Sequence, residues 1–346
     1  MKVVVAMSGG VDSSVVAGLM ARAGHEVIGV TLQLYDHGAA VGRKGACCAG
    51  QDIHDAKRVA DRLGIAHYVI DSEARFQQSV ISAFADSYAG GQTPVPCIAC
   101  NQHLKFGDLL EMARGLGAEA MATGHYVRRF EGPNGAEMHK AVDDSRDQSW
   151  FLFATTREQL EFCRFPLGDY ASKAEVRAIA AEMGLAVADK ADSQDICFVP
   201  SGTYAGIVEK YRPDALEAGD VVAEDGRVLG QHQGIARYTI GQAKRLPDTA
   251  AHMVVKKIEP GTRRIVVGPR GVQSPTVRLR DVNWLVEPRE LHAAVKLRAR
   301  DTLHPARIVP DGSGAVLHLE EPALAAPGQA AVFYDGTRVL GGGFIL

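Results

Sequence analysis

The chain has 346 residues, of which 46% are apolar and 23% are charged, and its formal net charge is −3. This length predicts two or three domains, and the composition excludes a fibrous or disordered protein. The absence of a bilayer-length apolar run and of a signal-peptide layout predicts a cytoplasmic protein with no membrane partner.

The first half of the chain alternates between strand-like and helix-like segments. The predicted strands are 2–6, 26–32, 67–70 and 118–123. The predicted helices are 13–24, 51–63, 73–88 and 101–115. Strands separated by helices of this length predict right-handed crossovers and a parallel sheet, with ligands at its carboxyl edge.

The turn after the first strand has the composition of a phosphate-binding loop. Gly9 and Gly10 allow a tight turn that brings bare backbone N–H groups close to an anion. Hydroxyl donors come from Ser8, Ser13 and Ser14. The helix that follows directs its positive end at the same place. These features predict a site for the pyrophosphate group of a nucleotide.

Asp12, together with the residues that the loop lacks, indicates the type of nucleotide loop. A carboxylate would repel phosphate, so its predicted role is to hold a Mg²⁺ ion that bridges the phosphates. The lysine of a Walker A loop and the three glycines of a dinucleotide fold are both missing. The remaining Ser-Gly-Gly-x-Asp-Ser pattern resembles the loop of PP-loop ATP pyrophosphatases. That resemblance implies cleavage of ATP to AMP and pyrophosphate, and adenylation of a substrate.

The cysteines suggest a second chemistry. Cys97 and Cys100 lie in the segment 90–100, in which Pro94 and Pro96 predict an extended path without helix. A thiol near the start of the next helix is expected to be reactive. Cys197 lies just before the composition changes. Either Cys100 and Cys197 perform sulfur chemistry, or both join Cys97 in holding an iron–sulfur cluster.

The second half of the chain has a different character. After about residue 200 the helical patterns stop, and short β-rich segments separated by Gly and Pro follow. The predicted strands are 221–222, 237–240, 253–258, 265–267, 276–279, 294–300, 315–319 and 330–334. They predict a small connecting domain followed by an all-β barrel or sandwich.

Several motifs together resemble one family. They are the phosphate loop at 6–14, Thr-Pro-Val-Pro-Cys-Ile-Ala-Cys-Asn at 93–101, Ala-Thr-Gly-His-Tyr at 122–126, Asp-Gln-Ser-Trp-Phe-Leu at 147–152, Asp-Ser-Gln-Asp-Ile-Cys-Phe at 192–198, Gly-Gln-His-Gln-Gly at 230–234 and Pro-Gly-Gln at 327–329. In this order they resemble the tRNA-specific 2-thiouridylases, which place sulfur on C2 of the wobble uridine of tRNA. The resemblance implies an α/β fold with a PP-loop ATP pyrophosphatase domain at 1–200, a small central linker or tRNA-binding domain at 201–270 and a C-terminal β-barrel at 271–346.

The resemblance also implies roles for individual residues. The implied ATP contacts are Ala6, Met7, Ser8, Gly9, Gly10, Val11, Asp12, Ser13, Leu32 and Gly124. Cys100 matches the first catalytic thiol and Cys197 the cysteine that carries a persulfide. The implied tRNA contacts are Val95, Pro96, Cys97, Arg146, Asp147, Gln148, Arg298 and Ala299.

Three positions in two segments depart from the family pattern. The best-known members have Asn-Pro-Asp where this chain has Val95, Pro96 and Cys97, so a thiol replaces an acidic group near the target base. Ala299 stands where a tyrosine is usual. The additional thiol completes the three-cysteine set that a [4Fe–4S] cluster with one open iron requires.

The implied reaction needs ATP, Mg²⁺, tRNA and a sulfur donor, either a cysteine desulfurase or a sulfur-relay protein. Adenylation of the C2 oxygen makes AMP the leaving group, and sulfur then arrives from a Cys197 persulfide or from the cluster. Two other hypotheses keep parts of the sequence evidence. One is an adenylating enzyme that forms an amide or amidine, and the other is a metal- or cluster-containing RNA-binding protein without thiolase activity.

Overall fold

A computed structural model of the chain describes residues 1–35, 48–192, 196–199, 204–271 and 274–346. These residues form two compact units. The first unit comprises Met1–Ser79, Ile98–Gln194 and Thr337–Val339. The second comprises Val80–Cys97, Asp195–Gly336 and Leu340–Leu346.

The first unit is built on a parallel sheet. The strands of the sheet are β1 (Lys2–Ala6), β2 (Glu26–Gln33), β3 (Ala66–Asp71), β4 (Ala120–Ala122) and β7 (Cys163–Arg164). A separate antiparallel hairpin consists of β5 (Val127–Gly132) and β6 (Gly135–Lys140). The sheet has the order β3-β2-β1-β4-β7 with parallel pairings throughout. Val3, Val4 and Val5 are fully buried because β1 is the central strand and both of its faces are covered.

Helices cover this sheet and continue into the rest of the chain. The α-helices are Val11–Arg22, Cys48–Leu63, Glu73–Phe76, Ala83–Ala89, Pro96–Ala99, Leu110–Gly115, Ser149–Leu152, Arg157–Phe162, Lys173–Glu182 and Tyr204–Tyr211. Wider π-helical turns occupy Gln77–Ser82 and Cys100–Leu109. Among the described residues, no helix is both long enough and apolar enough to cross a membrane.

The segment before Cys100 differs from the prediction. Residues 90–100 were expected to avoid helix, but a helix begins at Pro96 and continues through Cys100. Proline is acceptable at the first helical position because its missing N–H has no intrahelical acceptor there. Cys97 therefore lies in the first turn and Cys100 follows it in the second.

The second unit contains a small sheet and a barrel. The small sheet has the order β10-β11-β8-β9 and consists of β8 (Gly219–Ala223), β9 (Val228–His232), β10 (Met253–Glu259) and β11 (Arg264–Pro269). The later strands are β12 (Ser274–Trp284), β13 (Leu291–Lys296), β14 (His304–Asp311), β15 (Gly314–Ala323), β16 (Ala330–Asp335) and β17 (Arg338–Ile345). They run in the order β12-β15-β14-β13-β16-β17, and pairing of β12 with β17 closes a six-stranded barrel.

Two further predictions for the second half were wrong. The helical pattern does not stop near residue 200, since Tyr204–Tyr211 is a helix. The segment 237–240 is not a strand: a short 3-10 helix, Ile235–Arg237, ends there and Tyr238 follows in an extended conformation. The predicted fold class is nevertheless confirmed, as a parallel-sheet part precedes a small β-rich part and a closed barrel.

Candidate active site

The strand order of the first unit marks where a ligand is expected. The chain runs from β1 to β2 on one side, whereas β4 and β7 lie on the other side of β1. Ligands of open α/β sheets bind at such a reversal, beyond the carboxyl ends of the strands. The phosphate loop follows β1 and Gly124 follows β4, so both predicted ATP contacts lie at this edge. Leu32 lies near the same end of β2.

The phosphate loop is held by its own hydroxyl groups. The backbone N–H of Ser8 donates to Oγ of Ser13 at 3.1 Å, and Ser14 Oγ donates to the Gly10 carbonyl at 2.8 Å. Gly10 is the N-cap of helix Val11–Arg22. The N–H groups of the first helical turn have no acceptor within the helix, so they remain available to an anion.

Two glycines are required by close contacts. Gly9 has a φ of +74°, and a side chain there would collide with the backbone of Asp52. At Gly124 a Cβ atom would lie 3.0 Å from Cβ of Asp12 and 3.0 Å from the backbone nitrogen of Ser13. The structure thus brings Gly124 against the phosphate loop, as the predicted ATP site requires.

Asp12 is engaged by a lysine. Nζ of Lys173 lies 2.6 Å from Oδ1 and 2.7 Å from Oδ2 of Asp12, and the hydroxyl of Tyr126 donates to Oδ1 at 2.7 Å. The Lys173 side chain is only 9% exposed. A charge in this position is kept by its ion pairs, because an unpaired buried ammonium is costly.

The same lysine reaches a second carboxylate. Lys173 Nζ lies 3.0 Å from Oδ1 of Asp192, which also pairs with Arg146 at 2.7 Å and with Arg177 at 3.3 Å. Burial alone would raise the pKa of Asp192, but hydrogen bonds from Lys173 and Arg146 outweigh it and leave that pKa below its ordinary value. Asp12 and Asp192 are therefore joined through one cation.

A second lysine fixes the other side of the loop. Lys190 Nζ donates to the Gly9 carbonyl at 3.0 Å, to Oδ1 of Asp52 at 2.7 Å and to Oδ2 of Asp55 at 2.6 Å. This connects the loop to helix Cys48–Leu63. By occupying the Gly9 carbonyl, Lys190 holds the peptide orientation of the loop.

Two side chains near the loop are kept neutral. Burial and the hydrogen bond to Asp12 raise the pKa of Tyr126, so its hydroxyl remains a donor. Burial, followed by the charge of Lys105, holds the pKa of His125 well below its usual range. Nδ1 of His125 lies 2.9 Å from Oγ1 of Thr123. His125 is consequently a neutral imidazole at pH 7.

The predicted tRNA contacts in the first unit have internal hydrogen bonds as well. Asp147 accepts from the N–H of Ala141 and from both the N–H and the hydroxyl of Ser149. Oε1 of Gln148 accepts from the Tyr126 N–H at 2.9 Å. Together with the Arg146–Asp192 pair, these bonds fix the backbone of the segment.

The thiols lie in different environments. Cys97 and Cys197 are exposed, whereas Cys100 and Cys163 are buried. Burial raises the pKa of Cys163 to about 12, so this thiol is chemically quiet. In the barrel, Arg298 is exposed and pairs with Asp301, and Ala299 is half-buried. Residues 193–195, between Asp192 and Cys197, lie outside the described part of the chain.

Two metal sites are predicted, a Mg²⁺ site at Asp12 and a cluster site at three cysteines. In the described ranges, no group of three or more His, Cys, Asp and Glu side chains could hold a metal ion. The oxygens of Asp12 already accept from Lys173 and Tyr126, so a Mg²⁺ ion would have to displace the ammonium group. The Mg²⁺ role of Asp12 and the cluster at Cys97, Cys100 and Cys197 stay predictions.

Sequence reasoning missed the two lysines. Lys173 and Lys190 have the composition of ordinary surface residues, and neither stands in a quoted motif. One indication was available for Lys173, which occupies the first position of helix Lys173–Glu182. A cation at a helix N-terminus opposes the helix dipole, so its presence there indicates a carboxylate or anion nearby.

Comparison with known proteins identifies the family. Family models match residues 1–201 (tRNA methyl transferase HUP domain), 206–269 (tRNA methyl transferase PRC-barrel domain) and 274–345 (aminomethyltransferase beta-barrel domain). The tRNA-specific 2-thiouridylase MnmA of Acidiphilium cryptum is 69% identical over 100% of both chains. The chain belongs to the tRNA-specific 2-thiouridylase family.

A second family member supports the same assignment. The tRNA-specific 2-thiouridylase MnmA of Gluconobacter oxydans is 62% identical over 100% of this chain and 99% of its own. Membership of this PP-loop family implies the use of ATP. A solved 4-thiouridine synthetase–RNA complex with bound ATP is 17% identical, with a TM-score of 0.35 over 62% of this chain and 50% of that one.

Proposed function

We propose that the protein thiolates C2 of the wobble uridine of tRNA at the expense of ATP. The observation that carries the proposal is full-length identity of 69% and 62% to two tRNA-specific 2-thiouridylases. The phosphate loop at the carboxyl edge of the sheet, closed by Gly124, supports a nucleotide site. The proposed ATP contacts are those given by the sequence, from Ala6 to Ser13 with Leu32 and Gly124.

The first proposed step activates the base. The C2 oxygen of uridine attacks the α-phosphorus of ATP, an O–P bond forms, and pyrophosphate leaves. The first-turn N–H groups of helix Val11–Arg22 face the departing charge. Lys173 and Lys190 place ammonium groups beside the loop, where each also pairs with two carboxylates. The C2 oxygen thereby becomes part of AMP, which is a good leaving group.

The second proposed step replaces the oxygen. The terminal sulfur of a persulfide on Cys197 attacks C2, and AMP departs with the former uridine oxygen. The thiolate of Cys100 then attacks the sulfur of Cys197, so the S–S bond breaks and 2-thiouridine is released. This leaves Cys100 and Cys197 oxidised as a disulfide, and an external thiol reductant restores both. Because the Cys100 thiol is buried, we place its reaction after tRNA binding.

No step of this mechanism passes through a metal. Magnesium, when bound at Asp12, would neutralise the phosphate charge, but the carboxylate is paired with Lys173 in this structure. The three-cysteine cluster remains the alternative sulfur source, and the cysteine variants distinguish it from the persulfide.

We also propose a cytoplasmic location and a sulfur donor that is a cysteine desulfurase or a sulfur-relay protein. The proposed tRNA contacts are 95–97, 146–148 and 298–299. The proposed domains are 1–200, 201–270 and 271–346.

The test is thiolation in vitro with tRNA, ATP, Mg²⁺, a thiol reductant and a cysteine desulfurase with cysteine, which delivers persulfide-level sulfur, measuring 2-thiouridine and pyrophosphate. Loss of 2-thiouridine with Cys197→Ser and with Cys100→Ser, but not with Cys97→Ser, supports the persulfide route. Loss with all three, together with activity only under anaerobic conditions, supports the cluster route. Cys163→Ser serves as the matched control, because this thiol is buried and its pKa is raised to about 12.

Two results would overturn the proposal. Full activity of Cys197→Ser and Cys100→Ser excludes both sulfur routes. Pyrophosphate release that depends on ammonia or an amino acid, and that needs no Cys197, identifies an adenylating amide- or amidine-forming enzyme instead.

A further inference from the structure

A pocket of about 510 Å³ lies within the second unit, away from the phosphate loop in sequence. Its walls come from helix Ala83–Ala89, from the start of helix Tyr204–Tyr211 and from the segment 236–245. This volume falls in the range of small-ligand sites. We propose that the pocket binds one nucleotide of the RNA substrate, next to the target uridine. The inference rests on the proposed function, because it takes RNA as the source of the nucleotide.

Charge supports an anionic ligand. Arg237, Lys244 and Arg245 line the pocket, and its lining contains no acidic side chain. Across the described ranges of the chain, none of these three cations forms an ion pair with Asp or Glu. Lys244 and Arg245 are exposed and Arg237 is half-buried. Three cations with no carboxylate partner create a local positive potential that favours phosphate.

The segment that carries these cations is fixed by hydrogen bonds. The hydroxyl of the buried Tyr238 donates to the Arg245 carbonyl at 2.7 Å, and Nε2 of Gln242 donates to the Lys244 carbonyl at 2.8 Å. Arg245 has a φ of +67°, which is unfavourable for a residue with a side chain. These bonds hold Arg245 in that conformation and direct the segment into the pocket wall.

Aromatic rings are the second feature of the pocket that favours a nucleotide. Tyr88 and Tyr204 stack with their ring centroids 6.5 Å apart and their planes 26° apart. Tyr88 is 8% exposed and packs on Phe84, whereas Tyr204 is 40% exposed. An exposed aromatic side chain beside cations that have no carboxylate partner among the described residues is a combination with which proteins bind single-stranded nucleic acid. A simple inorganic anion would not require the tyrosine face.

The position of the pocket along the chain points to RNA. Val199 lines the pocket and is two residues from Cys197, so the chain between them spans at most about 7 Å. An RNA strand that presents its uridine to Cys197 therefore has a neighbouring nucleotide within reach of the pocket. The shared ligand chemistry is a phosphorylated planar base, and a free nucleotide is the other possible source.

The test measures the affinity of the full-length protein for an anticodon stem-loop RNA at several KCl concentrations. Lys244→Ala/Arg245→Ala is expected to weaken binding and to reduce the slope of log K against log salt by about 1 to 2. Tyr204→Ala is expected to lower affinity about tenfold through lost stacking, while Tyr204→Phe keeps it within about twofold. The control Arg227→Ala removes an exposed arginine on the β8–β9 turn that pairs with Asp225.

Three outcomes would overturn the inference. Unchanged affinity and salt slope in the pocket variants, with the wild type still thiolating tRNA, rejects the pocket and leaves the proposed function standing. Saturable binding of uridine monophosphate that is lost in Tyr204→Ala, with RNA affinity intact, assigns the pocket to a free nucleotide. Failure of the wild type to bind or thiolate any tRNA removes the proposed function itself, and with it the source assigned to the ligand. Thermal unfolding of each variant shows that the protein measured is folded.

Discussion

The ammonium group of Lys173 contacts both carboxylate oxygens of Asp12, at 2.6 and 2.7 Å. It contacts Asp192 as well, so one ammonium group joins two carboxylates beside the phosphate loop, and Asp192 also pairs with Arg146 and Arg177. This arrangement fixes a cation beside the loop before a nucleotide binds. We therefore expect Lys173 to act in the ATP-dependent step, in addition to stabilising the first unit.

Replacing Lys173 with methionine separates these two roles. Pyrophosphate release is expected to fall about 100-fold or more, since a fixed charge facing the leaving group is lost. Stability should fall by about 1–2 kcal/mol, because Asp12 and Asp192 keep their negative charge without the shared cation and both are partly exposed. Steady-state pyrophosphate assays and urea unfolding provide the two measurements.

The matched controls for Lys173 are Lys173→Arg and the double variant Lys173→Met/Asp12→Asn. Lys173→Arg keeps the charge and should retain most of the stability. The double variant removes the carboxylate that lost its cation, so stability should recover while pyrophosphate release stays low; Asp12→Asn alone gives the part of that loss which is due to Asp12. Recovery of activity along with stability would show that Lys173 is purely structural.

The two loop glycines are expected to differ in what they do. Gly9→Ala forces a side chain into a left-handed backbone conformation and against Asp52, so stability should fall by about 2 kcal/mol or more. At Gly10 a Cβ would meet only the Ser8 hydroxyl, at 3.6 Å. Gly10→Ala should cost less than about 1 kcal/mol of stability but raise KM for ATP about tenfold, since it covers the face that meets phosphate.

Urea unfolding and ATP titration of both variants check the contrast between the glycines. Equal losses of stability would contradict it, as would an unchanged KM for ATP in Gly10→Ala.

The first unit was largely predictable because its strands are short apolar runs between helices. The predicted limits of β1 are those observed, and the helix after the loop was placed within two residues at each end. The phosphate loop follows from local composition, as glycine and hydroxyl residues have few other reasons to follow a buried strand. The contact of Gly124 with Asp12 followed only from the family resemblance.

The ion-pair networks were not predictable from local pattern. Lys173 and Asp12 are 161 residues apart, and Lys190 and Asp52 are 138 apart. A lysine in a helical or loop segment has the same sequence appearance whether it faces water or a carboxylate. In the second half, β9, β14 and β17 were missed, as several of their residues are Gly, Pro or Arg, which strand propensities disfavour or leave neutral.

The ion pairs of Lys190 with Asp52 and Asp55 should make the stability of the protein depend on pH. Burial would raise the pKa of Asp55, but hydrogen bonds from Lys190 and Gln51 leave it lowered from 3.8. A carboxyl group with a lowered folded-state pKa stabilises the protein above its unfolded pKa, and this contribution is lost as pH falls through the folded value. Wild-type stability should thus decrease below about pH 4.

Lys190→Met tests this dependence. Without the ammonium, burial is the main influence left on Asp55, so the stabilising contribution of its charge at neutral pH disappears. The difference between the unfolding free energies at pH 7 and at about pH 2.5 should be smaller than in the wild type. Lys57→Met, an exposed lysine on the same helix, is the control and should leave that difference unchanged. An equal pH dependence in Lys190→Met and wild type would contradict the expectation.

The alkylation rate of each cysteine should decrease as the burial of its thiol increases. Cys97 and Cys197 are exposed and should react first with iodoacetamide, and Cys100 should follow more slowly because it is buried. Cys163 should react at least about 100-fold more slowly than Cys97 at pH 8, since a pKa of about 12 leaves very little thiolate. Peptide mass spectrometry over a time course measures each rate.

Denaturation provides the control for this ranking. In urea the protection from burial is removed, so the rates at the four cysteines should converge. Convergence shows that the folded structure, and not the neighbouring sequence, sets the order. A folded-state rate at Cys163 equal to that at Cys97 would mean that the β7 edge opens to solvent. The same opening would expose β4, which pairs with β7 and ends two residues before Gly124. Cys163→Ser would then no longer be an inert control for thiolation.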